Sequence, residues 1–225
     1  MQDEANIVKQ YEEANVSGRI EILIKYYPNF IRLVEGYEQS LSFIIKEEKA
    51  YKHRQAKGEL GVRVQTSGMS DPTAREAIDN IMIMDAIRAG DLSSIIRDLD
   101  EEVSKLHEVE VATLQNMKED YSVLQSTFYY LDPDAADTFV KYLECGRKTE
   151  KLAYDLDIKP EALKMQMCRT KKTIIEQTAG ILNRKYQYQF GEMNHVIQKS
   201  KRKFKAGVFE IKGGHDSVFH GTGKD

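Results

Sequence analysis

Thr138–Ile175 reads TFVKYLECGRKTEKLAYDLDIKPEALKMQMCRTKKTII, and its apolar spacing draws three short helices with the core pattern of a helix-turn-helix. Thr149 is placed to cap the middle helix. Leu152, Ala153 and Leu156 fall on one side of it, with Ala153 small where two helices cross closely. Asp157 stands where the turn needs a left-handed backbone; glycine is usual there, and Asp tolerates that conformation better than most residues. Ile158 should then plug the core. Pro160 should open the third helix, since proline fixes the first helical φ and lacks an N–H that would have no partner anyway. That helix turns Leu163, Met167, Thr170 and Ile174 inward, leaving Glu161, Lys164, Met165, Arg169 and Lys172 facing out.

Upstream, helical periodicity dominates. Residues 3–15 are expected to form a short amphipathic helix closed by Ser17-Gly18, and a second apolar segment from Ile20 should end or kink at Pro28. From Asn29, the residues Phe30, Ile31, Leu33, Val34, Tyr37, Leu41, Ile44 and Ile45 keep a helical period that predicts a helix of about 25 residues. Lys57–Ser70, KGELGVRVQTSGMS, reads as a loop with one short extended piece at Val62–Val64. Ser70-Asp71-Pro72, followed by Thr73 and Glu76 spaced as in a capping box, starts the next helix, which Gly90-Asp91 ends. From Leu92 to about Tyr130, the residues Ile95, Ile96, Leu99, Val103, Leu106, Val109, Val111, Leu114, Met117, Tyr121 and Leu124 recur near the 3.5-residue spacing of antiparallel helix packing. Asp132-Pro133 begins a new unit. The expected fold is all-α: long antiparallel helices forming an acidic interaction domain over 1–130, a helix-turn-helix domain over 131–190, and a basic, flexible tail over 191–225.

Net charge is −3, from 33 bases and 36 acids, yet Leu163–Lys205 holds eleven bases against two acids, a local +9 that leaves −12 for the rest. That split is the footprint of a polyanion-binding end on an acidic body. Cys145 and Cys168 stand apart with no CxxC or histidine pair beside them, so reduced, packed thiols are expected. The start, MQDEANIVKQ, carries acids where a secretion signal has bases, and no stretch approaches 18 uninterrupted apolar residues. A cytoplasmic protein with no membrane partner is expected.

The string KLAYDLDIKPEALKMQMCRTKKTI resembles the fourth-region helix-turn-helix of bacterial sigma-70-type factors over about 40 residues, which would make the second domain sigma-like. With the upstream GVRVQTSGMSDPTAREAI, the whole chain resembles phage-encoded late transcription regulators of the ArpU and RinA type. The resemblance implies double-stranded promoter DNA as partner and activation of late phage genes. It puts base-edge contacts at Pro160, Glu161, Lys164 and Met165. Lys159, Arg169, Lys171 and Lys172 are expected to position the helix on phosphates. Pro160 and Met165 cannot make the bidentate bonds of Arg, Asn or Gln, so readout would rest on Glu161 and Lys164 with apolar contact from Met165 to thymine methyls.

Lys199–Lys205, KSKRKFK, is either a phosphate-tracking run or a solvated tail, and Tyr186, Tyr188 and Phe190 read as core of a last helix rather than a base-stacking surface. The acidic groups Glu12-Glu13, Glu47-Glu48, Asp98 with Asp100–Glu102, and Glu108 with Glu110 form either a solvated face or a docking face for RNA polymerase or a second copy of the chain, a homodimer. Neither a catalytic motif nor a GxxxxGK[ST] loop occurs, and His195, His215 and His220 lack a fourth ligand at fixed spacing, so no enzyme, metal or cofactor is expected. The alternatives to a regulator are a DNA-packaging protein like a phage small terminase and a helical adaptor without DNA binding.

Overall fold

The computed structural model describes the backbone of residues 2–56 and 72–211, and the side chains of residues 7–56 and 77–187. The elements are α1 (Gln2–Glu13), α2 (Val16–Tyr26), a 3-10 turn (Tyr27–Asn29), α3 (Phe30–Ala56), α4 (Pro72–Ala89), α5 (Glu101–Phe128), α6 (Pro133–Glu144), α7 (Thr149–Asp155) and α8 (Pro160–Ile211). The fold is all-α: among the described residues there is no strand, and no helix is long and apolar enough to cross a membrane.

Two compact units divide the chain, Met1–Gly180 and Ile181–Asp225. The Asp132-Pro133 start lies inside the first unit, where Phe128 and Phe139 pack edge to face at 6.2 Å. In the second unit α8 continues to Ile211, so residues 191–211, expected as a flexible tail, are helical; residues 212–225 lie outside the described ones.

Within the first unit, α3 and α5 run antiparallel. Phe30 stacks on Tyr121, Glu38 pairs with Lys118, Glu48 with His107 and Lys52 with Asp100, so numbers rise along α3 as they fall along α5. Their buried apolar face comprises Phe30, Val34, Leu41 and Ile45 from α3 and Val111, Leu114, Met117 and Leu124 from α5. Burial of each such side chain stabilises the fold by roughly 1.5–3 kcal/mol before entropy is counted.

Local chemistry sets the element ends. The break before α2 falls at Asn15, whose side chain accepts from the Gly18 N–H at 2.9 Å; Ser17 and Gly18 therefore lie inside α2 instead of closing α1. Pro28 does interrupt the chain, as the second residue of the 3-10 turn. Gly90, at φ 78°, ends α4. The next helix starts at Glu101 and not near Leu92, because the Asp91 carboxylate accepts from both the N–H and the hydroxyl of Ser93, and this local turn competes with helix. Leu92, Ile95 and Ile96 are buried from that turn. The expected loop piece at Val62–Val64 and the Ser70-Asp71 cap lie outside the described residues, as do the side chains of Thr73 and Glu76.

The register of α5 differs from the expected stripe. Leu106 is 58% exposed and Val109 45%, whereas His107 is 3% exposed and faces inward. On α3, Ile31 and Ile44 face solvent in the same way, and Glu38 is buried. Ion pairs and hydrogen bonds, described below, make those polar substitutions of the core tolerable.

Candidate nucleic-acid interface

Asp132 caps α6 by accepting from the Ala135 N–H at 3.1 Å, with Pro133 as first helical residue. α6 ends on Gly146 at φ 65° and Arg147 at φ 62°. The N–H of Arg147 reaches the Tyr142 carbonyl at 2.9 Å and that of Gly146 the Leu143 carbonyl at 3.2 Å, the paired bonds of a Schellman close. The Arg147 guanidinium donates to the Ile24 carbonyl at 3.1 Å and ties this turn to α2.

α7 begins one residue earlier than a Thr149 cap would place it. Lys148 takes the cap position without a side-chain bond, and Thr149 is already helical. α7 closes in the same way as α6: Ile158 N–H to Ala153 O at 3.0 Å and Asp157 N–H to Tyr154 O at 3.2 Å, with Asp157 left-handed at φ 52°. The turn geometry expected from Asp157 is therefore present. Its apolar neighbours are placed differently: Ile158 and Leu156 are 39% and 38% exposed, so neither plugs the core. Leu152 and Ala153 are buried and carry the inward side of α7 alone.

Lys159 precedes α8 and its carbonyl accepts from the Leu163 N–H at 3.1 Å; Pro160 opens the helix. This third helix is not short, since it spans 52 residues. Leu163, Met167, Thr170 and Ile174 are buried, and Thr178 meets Thr127 of α5 at 3.2 Å in a buried hydroxyl pair. Lys159, Pro160, Glu161, Lys164, Met165, Arg169, Lys171 and Lys172 are all exposed. At about 100° per residue, Glu161, Met165 and Lys172 share the face opposite Leu163 and Thr170, with Arg169 on one flank and Lys164 and Lys171 on the other.

Lys172 lies 3.8 Å from Glu176, a loose surface pair; Lys159, Lys164, Arg169 and Lys171 have no acidic partner among the described residues. Positive charge on this face is thus left to solvent. The chemistry available is that of a helix with one face locked into a core and the other offering cations on both flanks to a polyanion.

Sequence reasoning missed Cys168. It lies four residues from both Lys164 and Lys172, on the same outward face, and it and Cys145 are exposed instead of packed. The 3.6-residue period that put Met167 inside could have placed it there. Tyr154 of α7 is 87% exposed beside this turn and was likewise not singled out. Tyr186 is buried, as expected of a last-helix core residue; the side chains of Tyr188, Phe190, His195 and Lys199–Lys205 lie outside the described residues, as do His215 and His220. Compared with protein-family models, with curated proteins and with solved structures, the chain matches none.

Proposed function

We propose that the chain binds double-stranded DNA by laying the first turns of α8 in the major groove, and that it does so as a transcriptional regulator. The observation that carries this is a set of cations without acidic partners among the described residues, Lys164 and Lys171 on one flank and Arg169 on the other, on a helix whose inward face is anchored by Leu163, Met167, Thr170 and Ile174. Glu161 and Lys164 reach base edges and Met165 meets thymine methyls, while Lys159, Arg169, Lys171 and Lys172 hold phosphates. Regulation, as distinct from DNA binding alone, rests on the resemblance of residues 151–174 to the sigma fourth region. In that reading the acidic N-terminal helices serve RNA polymerase or a second copy.

The test is a mobility shift on promoter fragments at two salt concentrations with wild type, Lys164→Ala and the double variant Arg169→Ala plus Lys172→Ala. Losing the base contact should cost roughly 1–3 kcal/mol and relax specificity; losing phosphate contacts should weaken all sequences alike and flatten the salt slope by about 1 per contact. No effect from any of the three residues would remove α8 as the reader.

One observation favours the packaging alternative. α4 turns Ile83 and Ile87 inward yet leaves Ile78, Ile81 and Met82 more than half exposed, as in helices that pack against another chain. A solution mass of many subunits would favour packaging, and a monomer or dimer regulation.

A further inference from the structure

His107 is 3% exposed, with Nε2 at 2.7 Å from a Glu48 carboxylate oxygen on α3 and Nδ1 at 2.9 Å from a Glu110 carboxylate oxygen on α5. A neutral imidazole has one N–H and one lone pair, so it cannot donate to two carboxylates at once; the imidazolium can. Glu110 is held a second time, accepting from the Tyr37 hydroxyl at 2.6 Å, whereas Glu48 is the more exposed of the two acids. Glu48 also lines a cleft of about 450 Å³ between the end of α3 and the start of α5, together with Tyr51, Lys52, Leu99, Asp100 and Val103.

We propose that His107 is a proton-operated latch between α3 and α5, closed as the imidazolium and opened toward the cleft when the ring gives up one proton to water. In the open form the ring keeps its remaining N–H on Glu110, which Tyr37 fixes in place. The Glu48 carboxylate then faces a lone pair and swings into the cleft. The cluster's charge goes from −1 to −2, with Lys52–Asp100 as the remaining ion pair at that end of the helices. Among the described residues, the charged groups acting on the ring are Glu110 from α5 and Glu48 from α3; Glu12 of α1 acts one step away, on Tyr37. Burial works against the imidazolium, but hydrogen bonds and charge from Glu110 and Glu48 outweigh it and raise the His107 pKa above the ordinary histidine value. The closed form therefore holds one proton more than the open form at pH values between the ring's pKa in the open form and its higher pKa in the closed form, and the opening constant rises up to tenfold per pH unit across that window.

The experiment follows the His107 ring nitrogens by NMR, and backbone amide exchange along α3 and α5, from pH 6 to pH 9 in the full chain. After correction for base catalysis of exchange, protection of residues 47–55 should fall by up to tenfold per pH unit below the ring's midpoint and level off above it, while α2 amides keep theirs. His107→Gln should remove that pH dependence, and Glu48→Gln, which keeps the histidine, should lower the ring's midpoint. A ring that stays neutral throughout overturns the latch. So does protection that falls equally in His107→Gln, or a midpoint unmoved in Glu48→Gln should the histidine variant fail to fold.

Discussion

The Tyr11 hydroxyl donates to the Asp120 carboxylate at 2.7 Å across 109 residues of sequence, and both groups are wholly buried. This bond fixes α1 on α5 at a carboxylate that solvent does not reach. Burying such a group is tolerable only while it is hydrogen-bonded, so the phenol does more than fill space. Tyr11→Phe keeps the ring and its tilted contact with Phe30, 6.4 Å between centroids, but withdraws the donor. It should destabilise the chain by roughly 1–3 kcal/mol in urea unfolding with little change in m-value. A loss below a few tenths of a kcal/mol would show that another group takes over the carboxylate.

Three helices end on the same device, a left-handed residue following the last turn: Gly90 after α4, Gly146 after α6 and Asp157 after α7. Two of them are glycine, for which that conformation is free; Asp157 bears a Cβ and tolerates it. Asp157→Gly should therefore be neutral or stabilising by up to about 1 kcal/mol, since relief of strain is offset by a more flexible unfolded chain. Asp157→Val, β-branched, should cost roughly 1–2 kcal/mol and, on the proposed function, lower DNA affinity by disturbing the angle between α7 and α8. Thermal melts of the two variants, differing in sign or nearly so, check the assignment.

The same residue shows what was legible in the sequence. A turn with a left-handed demand is local, and so are Asp132-Pro133, Pro28 and the apolar period of Leu163, Met167 and Ile174; each declares itself within a few residues. The inward course of His107 in place of Leu106 is not local. Its cause is Glu48, 59 residues away, and a period count that treats histidine as polar assigns the neighbouring leucine to the core. The start of α5 was missed for another reason: Leu92, Ile95 and Ile96 keep helical spacing while a turn at Asp91-Ser93 holds their backbone. Exposure of Leu156 and Ile158 also depends on how closely whole helices approach, which spacing alone does not fix.

Glu110 predicts behaviour on the acid side. Burial pushes its carboxyl toward the neutral form, but hydrogen bonds from His107 and Tyr37 and the histidine's charge hold its pKa below the usual carboxylate value. A folded pKa that is depressed contributes stability that is complete above the unfolded value, about 4.3, and is lost as pH falls through the folded one. Stability of the wild type should thus decline from about pH 5 downward, and Glu110→Gln should show a shallower decline over that range while being less stable at neutral pH. Denaturant midpoints at half-unit pH steps supply the comparison; parallel curves for the two proteins would mean that Glu110 does not carry this slope.

Cys168 offers a direct probe of the face that the proposed function assigns to DNA. It is exposed between Lys164 and Lys172, and Cys145, also exposed, sits at the end of α6. In a Cys145→Ser background, alkylation of Cys168 with N-ethylmaleimide should abolish the mobility shift, because the adduct occupies the space that base edges need. In Cys168→Ser, alkylation of Cys145 should leave binding intact, which controls for general damage. Saturating DNA should slow modification of Cys168 in proportion to the fraction bound, and competition with salt should restore it as phosphate contacts are screened. Equal reactivity of Cys168 with and without bound DNA would place the duplex on some other surface, and Lys164 and Arg169 would then lose their assigned roles together.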